Sequence, residues 1–145
     1  MDELEKILNL WKEDSIIDQT EPSRELLRIP TLHSKYIDLL AHYKVASKKT
    51  HFKILEMKKL KWEYYTGKLS QDELDQYGWE PFRYTLKSDI NYYIDSDADI
   101  IKLNKLKSLQ DEIVSVLESI LNELKQRTWQ LREYINWEKI GRAHV

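Results

Sequence analysis

ADIIKLNKLKSLQDEIVSVLESILNELKQRTWQLREYINWE, residues 98–138, holds neither Gly nor Pro, and its apolar residues recur at three- and four-residue steps: Leu103, Leu106, Ile113, Leu117, Ile120, Leu124, Leu131 and Tyr134. Such steps return to one face of an α-helix, whereas a half-buried strand alternates every second residue. The stretch therefore predicts one long helix with a coiled-coil-like seam, interrupted by Gln110 and Arg127. A second apolar row, Leu109, Val116, Leu121 and Ile135, makes the stripe wider than a two-stranded zipper needs. A helix this long in so short a chain is expected to need neighbours. Leu106, Ile113, Leu117, Ile120, Leu124 and Leu131 are accordingly assigned to homo-oligomerisation.

The rest of the chain extends the same reading. Only three Gly and three Pro punctuate 145 residues, too few for the turns of a β-rich fold, while Leu, Glu, Lys and Gln are abundant. The expectation is all-α: an elongated subunit, a single helical domain over 1–139 with two long helices and shorter connecting ones. Residues 2–13 form a short amphipathic helix with Leu4, Ile7, Leu8 and Trp11 on one face. Pro22 suits a first helical turn capped by Thr20, and Pro30 is expected to end or kink that turn. From Thr31 to Tyr65 no Gly or Pro occurs, which predicts a helix about 50 Å long, placed at 31–66 and stopped by Gly67. Ser70 to Glu73 has the capping-box form, and Gly78 closes a two-turn helix. Residues 79–99, with Trp79, Phe82, Tyr84, Tyr92 and Tyr93 among acids, read as an irregular connector packed by aromatics.

Charge is distributed unevenly. The formal net charge is only -2, yet Lys44, Lys48, Lys49, Lys53, Lys58, Lys59 and Lys61 face a single acid, Glu56, before the run Trp62, Tyr64, Tyr65. Residues 69–99 are acidic in turn, with Arg83 and Lys87 as their only cations. Lysines neutralise phosphates and release counterions, and exposed rings give unpaired bases a face to stack on. Lys44, Lys48, Lys58, Lys59, Lys61, Trp62, Tyr64, Tyr65 and Lys68 are the candidate contacts for a single-stranded polynucleotide. Lys44, Lys48, His51, Leu55, Lys58, Lys59 and Trp62 share one broad helical stripe, with Lys49 and Lys53 roughly opposite. A bland reading stands beside this one: charge runs are mostly solvated helix faces, and aromatics in helical proteins mostly pack.

Other chemistry finds little support. The absence of Cys removes disulfides, thiolate metal sites and a cysteine nucleophile. Asp95, Asp97 and Asp99 imitate the start of a calcium loop, but Ile100 stands where the turn glycine belongs and Leu106 where the bidentate Glu belongs. Capping of the next helix is the better account. His33, His42 and His51 are nine residues apart, which sends successive rings to opposite faces, so no metal site is expected. No Gly-rich phosphate loop or nucleophile motif occurs, and neither a cofactor nor an enzyme is expected. The start MDELEKILNLWKED is no secretory signal, and no apolar run reaches the roughly 20 residues of a membrane span. The closing IGRAHV, residues 140–145, equals one translated frame of a common sequencing adapter; it is expected to be a non-native tail, and His144 is set aside as a ligand.

The order of features also resembles a family. Trp11, Asp14, Ile17 and Asp18, the block IPTLHSKYIDLL at 29–40, the block KKLKWEYYTGKL at 58–69, and Arg132, Ile135 and Trp137 near the end together look like the UvsY recombination mediators of T4-like phages. That resemblance implies a helical subunit forming a ring, a hexamer or heptamer, in the cytoplasm of the infected bacterial host. It implies non-specific binding of single-stranded DNA and loading of the phage RecA-like recombinase in place of the phage single-strand-binding protein. It also carries a DNA-binding role onto the basic pair before the tyrosines, Lys59 and Lys61, with Lys61 standing where the family often has Arg. A structural coiled-coil phage assembly protein, its lysines pairing with acidic blocks of neighbouring subunits, is the alternative. An architectural protein of duplex DNA is disfavoured by the paired aromatics.

Overall fold

The structure, a computed structural model, describes residues 2–82 and 86–143; Arg83, Tyr84 and His144 lie outside the described residues. Every regular element in it is helical: α1 (Glu3–Asp14), α2 (Pro22–Tyr65), α3 (Gln71–Tyr77), a 3-10 turn at Lys87–Asp89, α4 (Ile90–Asp95) and α5 (Ala98–Ala143). The described residues group into two compact units, those of Met1–Val45 with Leu109–Val145 and those of Ala46–Ser108.

Local chemistry accounts for the ends of the helices. Asp2 caps α1 by accepting from the Glu5 N–H at 2.7 Å. Ser70 and Glu73 make the reciprocal capping box of α3 as expected. Gly67 and Gly78 take positive φ, 72° and 71°. In each, the following N–H reaches back to close the helix, Lys68 to the Glu63 carbonyl and Trp79 to the Leu74 carbonyl. Asp97 caps α5 through Oδ1, which accepts from the N–H groups of Asp99 and Ile100 at 2.9 and 3.2 Å, so the D-x-D-x-D run does cap a helix.

Three expectations are corrected. Helix α2 does not begin after Pro30; it runs from Pro22 straight through it. Pro30 points to solvent while Ile29, Leu32 and Tyr36 are buried, and that packing offsets the about 3 kcal/mol a mid-helix proline costs. Thr20 is not the cap, because it donates to Asp18 instead, from N at 3.0 Å and from Oγ1 at 2.6 Å. The connector after Trp79 is less irregular than expected, since it contains α4, held by buried Ile90 and Ile94.

Part of the α5 seam packs within the subunit. In the first unit Ile113, Leu117, Ile120 and Leu124 form one core with Ile7 of α1 and Leu32, Tyr36 and Tyr43 of α2, and the second row, Leu109, Val116 and Leu121, packs against it. Leu131 is also buried. Between Leu109 and Leu124 the stripe therefore packs on the subunit's own α1 and α2. Leu106, in the other unit, remains exposed. In α1 the inward residues are Leu4, Ile7, Leu10 and Trp11, with Leu8 turned outward. Trp11 meets Tyr36 edge-on at 5.4 Å. The guanidinium of buried Arg127 lies 5.3 Å from the Trp11 ring, so this polar interruption of the seam is a cation–π contact.

Candidate nucleic-acid interface

Within the second unit, α2 has two opposite faces. Ser47, Thr50, Ile54 and Lys61 are buried, and Met57 and Tyr65 half-buried, at three- and four-residue steps. Lys48, Phe52, Leu55, Lys59 and Trp62 follow the same spacing on the other side, and all five are exposed. Lys58 flanks this outward row and is exposed as well, and the Lys68 ammonium lies 4.1 Å over the Trp62 ring. The structure thus gathers five sequence candidates, Lys48, Lys58, Lys59, Trp62 and Lys68, at one solvent-facing stretch. Phe52 falls on the row without having been a candidate; the 48, 52, 55, 59, 62 spacing is the signal that locates it.

Lys44 belongs to the first unit, where its ammonium lies 3.6 Å from the Glu118 carboxylate and both side chains are exposed. Such a surface pair is worth at most about 1 kcal/mol.

Lys61 points the other way. It is 4% exposed, its Nζ lies 3.1 Å from Asp97 Oδ2 and 2.8 Å from Asp99 Oδ2, and the Trp79 ring centroid is 3.9 Å away. The basic pair before the tyrosines is divided by the helix: Lys59 outward, Lys61 inward. The side chain is engaged by two carboxylates and an indole. The inward row 47, 50, 54, 57 carries the signal, because its next step is 61.

Tyr64 and Tyr65 likewise serve the interior. Tyr64 donates to the Glu80 carbonyl at 2.6 Å and packs on Trp79 and Phe82. Tyr65 donates to Asp97 Oδ2 at 2.6 Å, stacks on Tyr93 at 5.6 Å, and packs against the Ile90, Ile94 and Ile100 core. Burial and the bond to Asp97 push the Tyr65 phenol well above its ordinary range. Burial works against ionisation of Asp97, but hydrogen bonds from Tyr65, Lys61 and the Ile100 N–H outweigh it and hold the carboxyl below its usual value. Both tyrosines are half-buried, each with its hydroxyl bonded within the subunit. Of the three aromatics in the W-x-Y-Y run, Trp62 alone has an exposed side chain.

Among the described residues no group of His, Asp and Glu is placed to hold a metal ion. No helix there is long and apolar enough to cross a membrane.

An all-helical chain whose middle helix turns a lysine and aromatic row to solvent is the class these features define. Its family is that of the recombination, repair and ssDNA binding protein UvsY: the family's sequence model matches residues 10–143, and the chain belongs to it. Crystal structures of the bacteriophage T4 recombination mediator protein UvsY share the fold. Lattice type II superposes with a TM-score of 0.81 at 20% identity, covering 97% of this chain and 98% of that one. Lattice type IV gives 0.79 at 16%, and lattice type I 0.77 at 20%, each covering 97% of this chain and 99% of its counterpart. No curated protein matches the chain.

Proposed function

We propose that this chain is a recombination mediator. It binds single-stranded DNA without sequence preference along Lys48, Lys58, Lys59, Trp62 and Lys68. It promotes loading of a RecA-like recombinase in place of single-strand-binding protein during phage homologous recombination and repair. The observation that carries this reading is the outward row of α2, where lysines alternate with exposed apolar side chains. Family membership supplies the biological setting.

The physical logic is exchange. Each lysine contributes a modest, salt-sensitive phosphate contact, and a homo-oligomeric ring of hexamer or heptamer size would present many linked copies, so that avidity holds a strand while each contact is readily replaced. The acidic stretch at 69–99 then addresses the basic surface of a protein partner.

Fluorescence anisotropy of labelled oligo-dT, titrated across several salt concentrations with an equal-length duplex in parallel, tests the reading. Salt-sensitive binding that prefers the single strand is expected. Lys59→Ala should weaken it and reduce the salt slope by about 0.7 for each phosphate the lysine had neutralised. Absence of binding at low salt by well-folded protein would leave the lysines as contacts between subunits of an assembly protein.

A further inference from the structure

We propose that Phe52 stacks on an unpaired base, as a second aromatic contact on the α2 face that carries Trp62; the proposal rests on the single-strand reading above. Phe52 is 60% exposed, although an aromatic ring of this size ordinarily serves a core. The core side of the same helix is already occupied by Ser47, Thr50, Ile54 and Lys61. Its neighbouring ring is His51, with centroids 5.7 Å apart and planes tilted by 57°, so the two are not stacked face to face.

Charge selects the occupant of this face. Lys48 precedes Phe52 by one turn, and Lys58 and Lys59 follow Leu55. A second copy applying the same face would bring lysine against lysine, which is repulsive, and a copy applying a different face, as in a ring, is the outcome that the solution-mass measurement below detects. A polyanion that also carries flat apolar surfaces satisfies both parts of the row: phosphates meet the ammonium groups, and bases meet the rings. Duplex DNA offers the phosphates but keeps its bases stacked inside. Phe52 and Trp62 are ten residues apart, a rise of about 15 Å along the helix. Phosphates of a stacked strand repeat at about 3.4 Å, so the two rings engage non-adjacent bases and the strand between them lies along the lysines.

The test uses the full chain and the oligo-dT and duplex probes, comparing Phe52→Ala, Phe52→Leu, Phe52→Trp and Lys59→Ala. Phe52→Ala and Phe52→Leu should weaken single-strand binding about tenfold or more. Their salt slope and duplex affinity should be unchanged, because every cation remains in place, and Phe52→Trp should restore affinity. If Lys59→Ala weakens binding and Phe52→Ala does not, the stacking role is overturned and the single-strand reading stands. If neither variant has an effect, that reading itself fails. A lower solution mass for Phe52→Ala, measured by light scattering without DNA, would make Phe52 a contact between copies and would also overturn the proposal.

Discussion

Each compact unit contains a tyrosine, an aspartate and a lysine bonded together, and the two groups differ in depth. In the first, Asp14 Oδ2 accepts from Lys35 Nζ at 2.6 Å and from the Tyr36 hydroxyl at 2.8 Å, with the lysine side chain 40% exposed. In the second, Asp97 Oδ2 accepts from Tyr65 and Lys61, and both charged side chains are 6% exposed. The Asp14 group fastens the end of α1 at the rim of an apolar core, helped by Arg28, which donates to the Asp14 carbonyl at 2.7 Å. The Asp97 group lies among rings and joins the inward side of α2 to the first turn of α5. The same three residue types therefore decorate one packing and constitute part of the other. An ion pair at a rim is solvated and adds little, whereas removing one partner of a buried pair leaves a charge without water.

The comparison is broken most severely by emptying the apolar core of the first unit. Leu117→Ala with Leu124→Ala should destabilise it by about 4–10 kcal/mol, from the usual 2–5 for each buried leucine. Circular dichroism melts should show a large drop in helix content; a normal melt with reduced solution mass would instead return these leucines to an intersubunit seam.

Next comes Lys61→Met, expected to cost about 3–5 kcal/mol by leaving the buried Asp97 carboxylate without its countercharge. Asp97→Asn should produce a similar loss while leaving the lysine in place. If Lys61 were a phosphate contact, Asp97→Asn, which leaves it only the half-exposed Asp99 carboxylate, would strengthen DNA binding, so the two variants separate a strut from a ligand.

Titration sharpens the parallel. Burial and the bonds to Asp14 and Asp97 raise the phenols of Tyr36 and Tyr65. Their stabilisation is complete below the unfolded tyrosine value of about 10 and is lost as pH rises through the higher folded values. The carboxyls of Asp14 and Asp97 are held low, because hydrogen bonds from Lys35 and Tyr36, or from Tyr65 and Lys61, overcome burial. Their contribution is present above about pH 4 and is lost as pH falls through the depressed folded values. Melting temperature should fall at both extremes, and Tyr36→Phe or Tyr65→Phe should flatten the alkaline limb. The smallest effect belongs to Lys35→Ala, at about 1 kcal/mol or less in the same melts.

Periodicity carried most of the helical reading, because the residues that determine it act locally. The three- and four-residue steps of 98–138, the capping box at Ser70 and the stop at Gly67 each depend on neighbours within a turn or two. The passage through Pro30 was not legible, since its cost is offset by Ile29 and Tyr36, whose partners are distant in sequence. Nor was α4 legible, because a helix of six residues has too few turns to establish a period.

At the candidate interface composition and placement separated. Sequence alone determined that lysines and aromatics crowd residues 44–68, and that an all-helical chain of the UvsY family carries them. Tertiary structure decided which of them face water. Lys59 and Lys61 are two residues apart and chemically identical, yet two helical positions separate them by about 200°. The carboxylates of Asp97 and Asp99, more than thirty residues downstream, meet only the inward one. The same division holds for the α5 seam, whose period fixes a single face while α1 and α2, brought back against it by the fold, supply its cover. A helical period specifies direction; what lies in that direction is set by contacts distant along the chain.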